Sequence, residues 1–72
     1  MNEKKVILNL YKTLIASFEK EYGVASVNVL KYSRLGLQYQ VEYYLGVEFA
    51  YLCVIHSLQE CYDDLFKRCA ND

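Results

Sequence analysis

Between Val27 and Cys69 the apolar positions recur at alternating steps of three and four. The series is Val27, Leu30, Leu37, Val41, Tyr44, Tyr51, Ile55, Leu58, Tyr62, Leu65 and Cys69, with Arg34 and Glu48 as its polar interruptions. An apolar side chain about every 3.5 residues is the repeat that keeps one line of a helix against a partner helix. The pattern therefore predicts helix packing, either within the chain or against another protein.

Ahead of this series, residues 3–22 read as an amphipathic helix. Ile7, Leu10, Tyr11, Leu14, Phe18 and Tyr22 share one face, and Asn9, Lys12, Thr13, Ala16, Glu19 and Lys20 take the other. Gly23 follows and offers the left-handed conformation that commonly ends a helix. Ser26 is a natural N-cap for a short helix over residues 26–34, which Ser33, Arg34, Leu35 and Gly36 then stop. Residues 37–69 form the long helix, with Lys67 and Arg68 suited to the negative end of its dipole.

The stretch 37–45 also reads as a strand. Leu37, Tyr39, Val41, Tyr43 and Leu45 alternate with Gln38, Gln40, Glu42 and Tyr44, and many of these residues favour sheets. A hairpin over 26–45 would give an α+β domain of α-β-β-α order. The preferred reading is nevertheless all-α, because residues 26–32 alternate poorly and the heptad runs through 37–45 in register with the helix after it.

A helix unbroken from Val27 to Cys69 would be about 64 Å long, against a radius of gyration of about 11 Å for a compact chain of this length. The chain must therefore reverse, and Gly36 is the better place. The remaining helix, about 50 Å long, exceeds what a first helix and a two-turn second helix can cover. The expectation is a small helical bundle, one domain over residues 1–72, completed by a homodimer through Val41, Tyr44, Tyr51, Ile55, Leu58, Tyr62 and Leu65.

Composition strengthens that expectation. Of the 72 residues 54% are apolar, more than so small a core can hide. The net charge of -1 gives no long-range attraction to nucleic acid or to anionic lipid, and no apolar run is long enough to span a bilayer. The three cysteines stand eight residues apart on one helix, about 12 Å per step, too far to pair within it. Reduced thiols and the lack of a secretion-type start point to the cytoplasm.

Candidate chemistry is sparse. Cys53, His56 and Glu60 are helical neighbours that could begin a zinc site, but no second ligand pair exists elsewhere, and packing explains these residues as well. Cys53 and His56 have no third group to orient the imidazole, so no catalysis and no cofactor are expected. The eight tyrosines are more informative. On a continuous helix Tyr32, Tyr39, Tyr43, Gly46 and Ala50 form one stripe, in which small residues beside large rings let another backbone approach; a bend at Gly36 would remove Tyr32 from it. The functional expectation is a small cytoplasmic interaction module, a regulator or inhibitor that binds a target protein. The alternative is a sensor holding a small molecule or metal ion in a Tyr-lined cleft between protomers.

Overall fold

The computed structural model describes residues 3–70 as two helices, α1 (Glu3–Arg34) and α2 (Gln38–Ala70), folded back on each other as a hairpin. The all-α expectation holds, and no strand occurs among the described residues. Two helices replace the three expected, because α1 runs through Gly23 without a break. Gly36 is the only described residue of positive φ, so Gly23 does not take the left-handed turn that would end a helix there. Ser26 likewise does not cap a new helix. Its hydroxyl donates instead to the Glu48 carboxylate across the hairpin.

The reversal falls at Gly36, as its place after Ser33 and Arg34 predicts. With φ at +70°, Gly36 lets its own N–H reach the Ser33 carbonyl at 3.1 Å, and lets the Leu37 N–H reach the Tyr32 carbonyl at 3.0 Å. This pair of bonds is the Schellman ending, which satisfies carbonyls that the last helical turn leaves open. Lys31 and Arg34 sit in that last turn, where positive charge is favoured. α2 then begins at once, with the Val41 N–H on the Leu37 carbonyl.

The helices contain 32 and 33 residues, so each is about 50 Å long and they match end to end. On α1 the row facing α2 is Leu8, Tyr11, Ile15, Phe18, Tyr22, Ala25, Val29 and Tyr32, all buried or half-buried. The opposing row is Val41, Tyr44, Glu48, Tyr51, Ile55, Leu58, Tyr62, Leu65 and Cys69, equally shielded. Both rows step by three and four throughout. Apart from these, only Ser26, Asn28 and Val47 among residues 3–69 are shielded at all, and they border the seam in its half nearer the turn.

This placement changes two expectations. Val27 and Leu30 begin the sequence series but are exposed, because the turn resets the register and α1 packs through Ala25 and Val29 instead. Ile7, Leu10 and Leu14 were expected on the packed face with Tyr11, Phe18 and Tyr22, yet they lie beside it in the open. The apolar arc of α1 is wider than one partner helix can cover, and Leu8 and Ile15 take the covered part.

Candidate functional site

At the turn, the Schellman ending fixes the last residues of α1 against the first turns of α2. Tyr32 stacks on Tyr44 with ring centroids 5.5 Å apart and planes 7° from parallel. Tyr43 meets Tyr44 edge-on at 5.0 Å and 87°. Tyr39, one turn before Tyr43, joins Tyr32, Tyr43, Tyr44 and Gln40 around a shallow open depression. The Lys31 ammonium stands 5.5 Å from the Tyr32 ring centre, within range of a cation–π contact. Tyr39 and Tyr43 remain 86% and 66% exposed. Tyr43 is therefore held outward by a stacked base that is itself anchored in the seam, and Tyr39 lines the depression beside it.

Tyr39, Tyr43, Gly46 and Ala50 keep the single stripe expected on α2, with open space around Gly46. Tyr32 belongs to the other helix, and its ring sits in the seam, so it supports the stripe from behind. Of the eight tyrosines, six line the seam: Tyr11, Tyr22, Tyr32, Tyr44, Tyr51 and Tyr62. Phe18 packs on Tyr51 at 5.8 Å, and the Lys12 ammonium lies 5.8 Å from the Tyr62 ring centre. Such rings bury an apolar body while the hydroxyl reaches water at the seam edge.

The seven residues expected to form a seam between protomers, Val41, Tyr44, Tyr51, Ile55, Leu58, Tyr62 and Leu65, face α1 of their own chain. Cys53, His56 and Glu60 are all exposed on α2, and no three His, Cys, Asp or Glu side chains converge among the described residues.

Sequence reasoning missed the two flanks of the seam. A depression lined by Glu21, Val24, Ala25 and Asn28 of α1 and by Tyr43, Tyr44, Val47 and Tyr51 of α2 shows which rows adjoin on one side. Followed at seven-residue steps, those rows run Ile7, Leu14, Glu21 and Asn28 on α1 and Gln40, Val47, Val54, Cys61 and Arg68 on α2, with Leu10 and Val24 just outside. On the other side Lys12 and Glu19 adjoin Gln59 and Asp63. There the α1 row is Lys5, Lys12, Glu19 and Ser26, and the α2 row, Leu45, Leu52, Gln59 and Phe66, is apolar except at Gln59. The signal in the sequence was the density of apolar residues from Ile7 to Ile15, more than one seam needs.

Charge is divided between the helices. α1 carries six basic and three acidic residues, net +3, and α2 carries two basic and five acidic, net -3. Neither helix of the described residues is long and apolar enough to cross a membrane. No known family, curated protein or solved structure matches the chain.

Proposed function

We propose that this chain is a small cytoplasmic protein–protein interaction module, a regulator or inhibitor that binds its target through the tyrosines at the turn. The observation that carries the reading is the pair Tyr39 and Tyr43, exposed to 86% and 66%, of which Tyr43 rests edge-on against the Tyr32–Tyr44 stack and Tyr39 stands beside it. An exposed ring with an ordered base gives a partner contact area without the loss of much side-chain freedom. Tyrosine is among the residues that most often dominate binding energy at interfaces. Free Cys53, Cys61 and Cys69 fit a reducing compartment.

The test is cross-linked capture from the source cells, comparing the unmodified chain with a Tyr39→Ala, Tyr43→Ala double variant. The expected result is one polypeptide held by the first and lost about thirty-fold by the second, with unchanged helix content by circular dichroism. Equal capture by both chains would refute the reading, and so would unfolding of the variant.

A further inference from the structure

The hairpin is a single layer, 54 × 18 × 11 Å, whereas a stable domain places a second layer over its apolar face. Its accessible surface of 5696 Å² is about 1,000 Å² more than a compact monomer of 8.5 kDa exposes. A standard interface takes about 800 Å² from each partner. The excess is thus the size of one interface, and one flank carries apolar side chains from both helices, interrupted on α1 by Glu21 and Asn28. We infer that a second copy of this chain covers the flank of Ile7, Leu14, Val24, Val47, Val54 and Cys61. The product is a two-fold symmetric four-helix bundle in which α1 of each copy lies against α2 of the other.

Charge selects both the occupant and the arrangement. With the symmetry axis along the helices, each α1 of net +3 meets an α2 of net -3, and the two turns lie at the same end. With the axis across the helices, α1 meets α1, α2 meets α2, and the turns lie at opposite ends. Packed helices sit about 8–10 Å apart, close to one Debye length at physiological salt. The first arrangement therefore attracts where the second repels. A different partner would need an apolar strip about 25 Å long with the inverse charge pattern, and a second copy has both. Tyr43 borders this flank as well, but the dimer is read at Leu14 and Val54 and by mass rather than by capture, so its failure and that of the target-binding reading are distinguishable.

Sedimentation equilibrium of the purified chain at tens of micromolar should give twice the mass of 8.5 kDa. Leu14→Glu and Val54→Glu should each weaken the dimer at least a hundredfold, whereas Leu52→Glu, on the opposite flank of the same hairpin, should leave it intact. Leu14 is 45% exposed in the free hairpin, so if Leu14→Glu loses its helix signal the decision passes to Val54→Glu, and a folded Val54→Glu chain that stays dimeric would overturn the inference. A monomeric unmodified chain would overturn the inference, as would a dimer that survives both flank changes or one that Leu52→Glu disrupts. Nitroxides at Ser33→Cys, in a chain whose native cysteines are alanine, test the arrangement. Spins within about 25 Å of each other place the turns together. A separation near the 54 Å hairpin length would overturn it.

Discussion

The two flanks of the seam expose apolar side chains of similar size, yet they are built differently. On one, both helices supply apolar side chains, Ile7 and Leu14 of α1 toward the open ends and Val47, Val54 and Cys61 of α2, with Glu21 and Asn28 of α1 beside Val47. On the other, Leu45, Leu52 and Phe66 run beside Lys5, Lys12 and Glu19. Long charged side chains can lay their methylene stems over neighbouring apolar surface and keep their heads in water. An exposed leucine is therefore poor evidence of an interface until the row across the seam is known.

The largest expected effect comes from removing what the flanks share. Ile55 is one of three buried apolar residues, 7% exposed at the middle of the seam. Ile55→Ala should cost about 2–5 kcal/mol in thermal melts, and should abolish dimerisation and target capture together. A variant that melts normally but loses one of these activities would show that the flanks do not depend on a common seam.

Ser26 belongs to the polar flank and holds Glu48, the one carboxylate in the seam. Ser26→Ala should cost about 1–2 kcal/mol, because a half-buried carboxylate loses its donor. Urea titration should show this as a lower midpoint at unchanged slope. The two glycines should respond in opposite directions. Gly36→Ala forces a Cβ into φ +70° and should destabilise by about 1 kcal/mol. Gly23→Ala, in a helix interior with nothing within 4 Å of the added Cβ, should stabilise by about 1 kcal/mol. The smallest effect is on the polar flank itself. Lys12→Ala removes an exposed cation–π contact with Tyr62 and should change stability by about 0.5 kcal/mol while leaving the dimer intact.

The sequence showed the α2 seam from Val41 to Cys69 and the reversal at Gly36, because a heptad has one phase and a glycine after a basic last turn has few other uses. It did not show the phase of α1. Ile7, Leu8, Leu10, Leu14 and Ile15 fill two adjacent stripes, and periodicity alone cannot choose between them. Gly23 misled for a related reason: a glycine ends a helix only where φ turns positive, and in an otherwise regular α1 it merely weakens the helix. Joining residues 3–34 into one helix supplies a partner for the whole of α2, so the seam no longer needs a second chain. The exposed positions of Tyr39 and Tyr43 were legible as a stripe, but the Tyr32–Tyr44 stack behind them depends on contact across the turn.

The Schellman turn also sets the order in which the hairpin can assemble. Contacts across it span longer loops the farther they lie from Gly36: Tyr32 and Tyr44 are close in the chain, Ser26 and Glu48 are 22 residues apart, and Lys12 and Tyr62 are separated most widely. Closing the last of these directly costs about 1.3 kcal/mol more than closing the first, so zippering outward from the turn is the cheaper route. Amide protons near Ala25 and Val47 should then gain protection before those near Leu8 and Leu65. The tyrosine end is thus the earliest part of the molecule to take shape, while the open ends close last and fray first.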